Sequence, residues 1–420
     1  MKTGSREKIA IIGTGISGLG CAYFLHKHHD VTLFEKEDRV GGHSHTVTIP
    51  EGREEVSLDT GFMVYNEVTY PLLTRLFAEL KVETKPTSMS FSVQNKPEAL
   101  EFNGTGFNRL FGQRRNLLRP RFWKMLMQIK RFNEETVAEL ENPQYPDLAL
   151  AEYVERRGYG QDFLQWYLSP MAAAVWSSPP ERIFAFPAHT LMRFWHNHGF
   201  LGMNTQHPWR TVVGGSRSYV AKLQELFGEN IQKGNGVRKV TGRRLTLADG
   251  SEQEFGQVIF ACHGDQSHTL LSDATSRENQ LLPRFQYQEN EAVVHCDPRF
   301  MPVRQRCWGS WNYLVTKDST STHYWMNSLQ GVSEKKNYFV SINPPEPADE
   351  SMVKKRLTYE HPIFDREAIA AQDEIPALNA EGAETGRYYC GAWQRYGFHE
   401  DGLWSAHRLC EQLLKGDPWV

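Results

Sequence analysis

Three glycines near the start of the chain, Gly13, Gly15 and Gly18, restrict its folding more than any other feature. They hold the G-x-G-x-x-G spacing directly after the apolar run at residues 9–12, and a helical pattern of Ile16, Leu19, Ala22 and Tyr23 follows at once. In a strand, turn and helix of this kind each glycine has a task. Gly13 makes the tight turn, Gly15 lets backbone approach a pyrophosphate, and Gly18 lets the helix pack on the strand. The phosphates would sit on the free N–H groups at the helix start, at Ile16 and Ser17. An export signal has an apolar core too, but no use for that glycine spacing. The β-rich run "DVTLFEKE" then places Glu35, with Lys36 beside it, 17 residues beyond Gly18. That is the spacing expected of a carboxylate on a ribose hydroxyl, the plain alternative being an exposed strand-end glutamate.

A chain of 420 residues has room for two domains with their own cores. Its formal net charge of −3 argues against a surface given over to nucleic acid, and no nucleic-acid module is recognisable. No segment approaches the ~20 uninterrupted apolar residues of a spanning helix. The six cysteines are scattered without a CxxC pair, which points to a reducing compartment and no zinc site. The histidine clusters "HKHH", "GGHSHT" and "HNH" lack carboxylates or cysteines at ligand spacing, so no metal is expected. A cytoplasmic protein is the resulting expectation.

After Glu35 a nicotinamide domain goes on to its next strand and helix. Here "EDRVGGHSHTV" opens a new loop at Gly41 and Gly42, followed by "SLDTGFMVYN" with a D-x-G turn. Much later come "WRTVVGGSRSYVAKLQELF", strands around the turn at Asp249 and Gly250, and "YYCGAWQRYGFHEDGLWSAHRLCEQLLKGDPW". In this order the elements resemble the flavin amine oxidase and phytoene desaturase superfamily along the whole chain. The wording "HPWRTVVGGSRSYV" and "GAWQRYGFHEDGLWSA" is similar to a narrower bacterial amine-oxidase-like group with relatives that act on fatty acyl lipids.

The resemblance implies an α/β protein that binds FAD. A discontinuous Rossmann-like domain would comprise residues 1–80, 205–290 and 380–420. An inserted substrate domain of antiparallel sheet plus helices would comprise residues 81–204 and 291–379. It implies that the Gly41 and Gly42 loop runs beside the flavin phosphates. His43 stands where the R-x-G-G-R signature has its second arginine, leaving the contact there to the glycine backbone. Thr60 and Gly61 would pass along the flavin, Val237 would meet adenine through its backbone, and Ala261 would end a central strand. Beyond Gly391, a helix N-terminus near Gly402 and Leu403 would face the pyrimidine end of the ring, with Glu400 or Asp401 on the ribityl chain. Covalent attachment in relatives uses a cysteine well upstream of the final strand, so Cys390 implies non-covalent FAD.

Both insertions are rich in aromatics. Trp166, Tyr167, Trp176, Phe184, Phe186, Phe194, Trp195, Phe200, Trp308, Trp311, Tyr313, Tyr324 and Trp325, with Met171, Met192 and Met203, divide between core and a possible apolar tunnel. No acidic cluster accompanies them to receive a cationic amine. The segment 109–131 carries eight basic residues and no acidic one, interleaved with Leu110, Phe111, Leu117, Leu118, Phe122, Trp123 and Leu126. Such a segment either lies on an anionic bilayer, on the inner face of the membrane, or forms a solvated helix face. The expected function is FAD-dependent desaturation or isomerisation of a hydrophobic chain such as a fatty acyl group. Amine or amino-acid oxidation, and a flavin sensor without turnover, are the alternatives. Desaturation also needs a base, for which His399, Glu400 and Tyr65 are the candidates.

Overall fold

The computed structural model describes residues 6–176, 178–202 and 205–420, so Met203 of the set above lies outside the described residues. The apolar run forms strand β1 (Lys8–Ile12), the glycine turn leads into helix α1 (Ile16–Leu25), and the chain returns as β2 (Asp30–Glu35). These strands belong to a five-stranded parallel sheet in the order Ile231–Lys233, β2, β1, Gln257–Phe260, Arg387–Tyr389. Strand β1 is covered on both faces, which is why it reads as a continuous apolar run and does not alternate.

On one face, Ile9 and Ile11 join α1 and the last helix, His399–Leu414, in a large core. A Cβ on Gly20 would lie 2.8 Å from Leu403 Cδ1 and 3.2 Å from Ala406 Cβ, so that glycine sets how closely the two helices approach. On the other face, Ala10, Ile12, Phe34 and Phe260 pack against a three-stranded meander, Val237–Thr241, Arg244–Leu247 and Glu252–Glu254. Ala368, Ala371, Ile375 and Leu378 pack there as well. The helices Arg366–Gln372 and Ile375–Ala380 thus cover the parallel sheet, although all but Ala380 fall within the segment expected to form substrate domain.

A second sheet has seven strands, in the order Val353–Pro362, Tyr287–His295, Phe339–Ile342, Thr320–Trp325, Trp311–Val315, Phe91–Asn95, Leu100–Asn103. The sheet draws on both insertions, and it is not wholly antiparallel: Trp311–Val315 pairs in parallel with Phe91–Asn95. Helix α2 (Pro71–Glu79) has Pro71 in its first turn and buries Leu73, Leu76 and Phe77; Tyr70 precedes it as cap.

Candidate active site

A cavity of about 660 Å³ runs from the start of α1 to an aromatic wall on the second sheet and the inserted helices. At its first end the glycine turn is fixed by close approach. Gly13 has φ +104° and donates its N–H to Phe34 O at 2.8 Å, while a Cβ on Gly18 would lie 2.0 Å from Gly13 O. Gly18 therefore serves the helix packing and lies off the cavity, whereas Gly13, Gly15, Ile16 and Ser17 line it. Glu35 caps the opposite strand end. Its Oε2 accepts from Thr14 N at 3.2 Å and from the Thr14 hydroxyl, and its Oε1 accepts from Glu37 N at 3.1 Å.

The second glycine pair folds over the first loop. Gly42, with φ +56°, has space for a Cβ only 3.0 Å from Gly15 Cα, and Gly41 donates to Thr14 O from just behind the lining. Gly42, His43, Thr60 and Gly61 line the cavity, with Lys36, Val237 and Ala261 at the same end and Gly391 and His399 further along.

These residues fit a dinucleotide. The first turn of α1 has neither an acidic residue nor a side-chain cap, so its N–H groups are free for an anion. Nothing lies within 4 Å of a Cβ on Gly15, which leaves backbone open to a close ligand. His43 Nε2 is a buried polar atom without a protein partner, in a ring that lies 5.1 Å from Tyr359 and 5.5 Å from His361. Burial, and then the neighbouring His361 and His263, hold its pKa well below the ordinary imidazole value, so it meets a ligand as a neutral ring.

Several expected contacts lie elsewhere. The last helix begins at His399, a turn earlier than Gly402 and Leu403. Gly402 instead faces α1, where its Cβ would meet Ile16 Cγ2 at 2.6 Å, and Leu403 packs on Gly20. Glu400 is turned away from the cavity and accepts from Leu72 N at 2.9 Å and Leu73 N at 3.0 Å, capping α2. Burial raises its pKa to about 7. Asp401 accepts from Phe398 N at 2.9 Å, capping its own helix, and burial lifts it to about 6 against the pull of Arg395. Neither carboxylate is free for a ribityl chain or for proton abstraction.

Tyr65 is no candidate base either. It is buried against Tyr70 and Phe77, with its hydroxyl 3.3 Å from Thr84 Oγ1, and it does not reach the cavity. His399 does reach it. Its ring stacks on Phe62 at 3.9 Å, and its Nε2 lies 2.9 Å from Ser44 Oγ and 2.8 Å from Tyr219 OH. Burial lowers its pKa to about 3, so it is neutral at physiological pH and a weak base.

The aspartate of the D-x-G turn has a structural task. Buried Asp59 accepts from Thr46 Oγ1 at 2.6 Å, Ser216 N at 2.9 Å, Ser216 Oγ at 2.7 Å and Gln330 Nε2 at 2.8 Å. It ties the start of the strand Thr46–Glu51, the helix Arg217–Phe227 and the helix Met326–Gln330 to one point.

The far end of the cavity is aromatic. Of the residues named from sequence, Trp176, Phe194, Phe200, Trp311 and Tyr324 line it, whereas Trp166 and Trp195 are core fillers. Tyr70, His198, Trp209, Tyr396 and Phe398 also line it, and sequence reading passed over them. Trp209, Tyr396 and Phe398 lie within the quoted family stretches, which was the available signal; His198 belongs to the "HNH" cluster, weighed only for metal. His198 stacks on Phe194 at 4.0 Å and its Nδ1 lies 2.9 Å from Phe194 O. Burial brings its pKa to about 4.

Comparison with known proteins agrees with this arrangement. The profile described as flavin containing amine oxidoreductase matches residues 16–314. A putative protoporphyrinogen oxidase from Exiguobacterium sp. 255-15 superposes with a TM-score of 0.68 at 15% identity, over 97% of this chain and 99% of the other. A CLA-producing fatty acid isomerase from P. acnes gives 0.65 at 13% identity, over 97% and 98%. The putative oxidoreductase YgfK of Escherichia coli K12 is 30% identical over 145 residues, 33% of this chain; the match spans only 13% of that curated relative's length. The chain belongs to the flavin-containing amine oxidoreductase family and is an FAD-dependent enzyme.

Proposed function

We propose that this enzyme desaturates or isomerises an apolar chain, of which a fatty acyl group is the leading case. One observation carries the reading: among the described residues, the only carboxylates that line the cavity, Glu35 and Glu360, lie at its nucleotide end. Glu35 is held by Thr14, and Glu360 lies 3.4 Å from His263 and 3.0 Å from Gln266. A cationic amine entering the aromatic end would meet no counter-charge, and burying an unpaired ammonium is costly. A methylene chain meets Met63, Met89, Leu329 and Ile342 beside the rings.

FAD held non-covalently at the glycine end supplies hydride acceptance from a substrate carbon. The chain's own residues bind, orient and exclude water. The ring wall of Trp176, Phe194 and Phe398, with centroids 4.9 Å and 5.0 Å from that of Phe194, closes the substrate end. His399, fixed by Ser44 and Tyr219, acts as a positioning residue on Phe62.

Organic extraction of freshly purified protein, followed by mass analysis, tests the reading. An acyl lipid recovered near one per chain, with altered double bonds after incubation, supports it. Release of hydrogen peroxide on addition of amines, with acyl chains left unchanged, replaces it with amine oxidation. Bound FAD that neither class alters points to a sensor.

A further inference from the structure

We propose that the protein docks on anionic phospholipid bilayers through one surface of its inserted domain, built from Gly106–Leu110, Arg114–Leu118 and the first half of Pro120–Glu141. This goes beyond the proposed function and does not depend on it. Five of the ten large hydrophobic side chains exposed among the described residues fall here: Phe107, Leu117, Leu118, Trp123 and Met127. Leu118 is 88% exposed, Phe107 66% and Met127 64%. Exposed apolar side chains are ordinary when scattered, and their concentration in one place marks a contact surface.

They form one patch. Phe107 lies 4.7 Å from Phe111, Phe111 lies 5.2 Å from Trp123, and Trp123 donates its indole N–H to Leu117 O at 2.9 Å. Met127 is one helical turn beyond Trp123 on the same face.

Charge selects the occupant. No acidic residue occurs between Glu101 and Glu134. Arg121 is paired with Glu98 and Asp162, and Lys130 and Arg131 with Glu134 and Glu135. Arg109, Arg114, Arg115 and Lys124 are exposed and, among the described residues, have no carboxylate partner. Arg114 and Arg115 donate to Asn108, Phe111 and Ala99 and keep their charge uncompensated. Rings and aliphatic tips flanked by cations without a carboxylate partner match the interfacial layer of a bilayer with anionic headgroups. A nucleic acid could use the cations and stack on the two rings but would leave the aliphatic tips of Leu117, Leu118 and Met127 in water. No helix among the described residues is long and apolar enough to cross a membrane, so the contact is peripheral. Packed side chains link the patch to the cavity wall. It covers a small core containing Phe102, Phe111 and Phe122, and Phe91 on the edge of that core lies 5.3 Å from Trp311 in the cavity wall.

Co-sedimentation of the FAD-loaded chain with vesicles tests the proposal, comparing phosphatidylcholine alone with phosphatidylcholine containing phosphatidylglycerol. Binding is expected to rise about tenfold with the anionic lipid and to fall with added salt. Phe107→Asp with Leu118→Asp, and separately Arg109→Glu with Lys124→Glu, should each lower binding about tenfold. All four side chains are exposed, so flavin spectrum and thermal midpoint should stay at the parent's values. Equal binding to both vesicle types, or variants that bind like the parent, would overturn the proposal. So would a dimer, seen by sedimentation velocity, that Leu118→Asp dissociates in a chain that binds no vesicles. A chain that sediments with vesicles but leaves acyl chains unchanged contradicts the proposed function and leaves docking intact.

Discussion

A methyl group at Gly18 would meet a backbone carbonyl at 2.0 Å, and that neighbour has no flexible end to move aside. Gly18→Ala is accordingly expected to cost about 3 kcal/mol or more and to release FAD, read from denaturant unfolding and from the flavin retained after gel filtration. A variant that keeps its flavin and its stability would show that the turn is looser than described. Glu400 gives a second prediction, in pH. Burial raises its pKa from the ordinary 4.5 to about 7, so the native state binds a proton that the unfolded chain has released. Its contribution is full below about pH 4.5 and is lost as pH rises through about 7, a slope on the order of 3 kcal/mol. Asp401 adds a similar fall that ends near 6. Glu400→Gln should flatten the thermal midpoint between pH 6 and 7 in particular; an unchanged profile would remove Glu400 as its source. The places of Gly13, Gly15 and Gly18 in the turn and of Glu35 at a strand end were legible in the sequence because backbone approach and strand ends impose fixed spacing. The role of Glu400 was not, because its partners Leu72 and Leu73 lie more than 300 residues away along the chain.

Among the elements, the last strand of the parallel sheet is held by a buried ion pair. Arg387 Nη2 donates to Glu278 Oε2 at 2.8 Å, Tyr389 OH donates to Glu278 Oε1 at 2.5 Å, and Glu278 also caps its own helix through Thr275 N at 2.6 Å. Glu278→Ala would strand a buried guanidinium that keeps only Asp273, and is expected to destabilise the protein by about 3 to 5 kcal/mol in urea unfolding. A loss below about 1 kcal/mol would mean that Asp273 and solvent suffice. The helices α2 and His399–Leu414 carry a clear helical period in the sequence, whereas α1 is buried on nearly all sides and was marked by the glycine turn before it. Val353–Pro362 could not be read from the sequence: it is an edge strand in which only Tyr359 is fully buried, so no alternation marks it. The parallel partner of Trp311–Val315 was equally hidden, since Phe91–Asn95 is contributed by the other insertion.

For the whole molecule, Asp59 joins the loops at the glycine end of the cavity to the helix Met326–Gln330. Asp59→Ala leaves Ser216 N without an acceptor, whereas Gln330 Nε2 keeps Thr211 Oγ1 and Thr46 Oγ1 keeps Ser216 Oγ, and a buried polar group left unpaired costs about 1 to 3 kcal/mol. Weaker FAD retention together with a lower thermal midpoint is expected; unaltered cofactor binding would show that the two regions hold together without it. The sequence indicated the aromatic wealth of the insertions but not which rings face the cavity, because Trp166 and Trp195 are as apolar as Trp176 and Trp311. What distinguishes them is the path of the chain over the second sheet. The direct test of the central claim is anaerobic mixing of the FAD-loaded enzyme with acyl lipids and with a panel of amines. Flavin absorbance and the double bonds of the recovered chains are followed in the same sample. Acyl lipids should bleach the flavin or emerge with altered double bonds while amines do neither; rapid bleaching by amines, with acyl chains inert, would contradict the account.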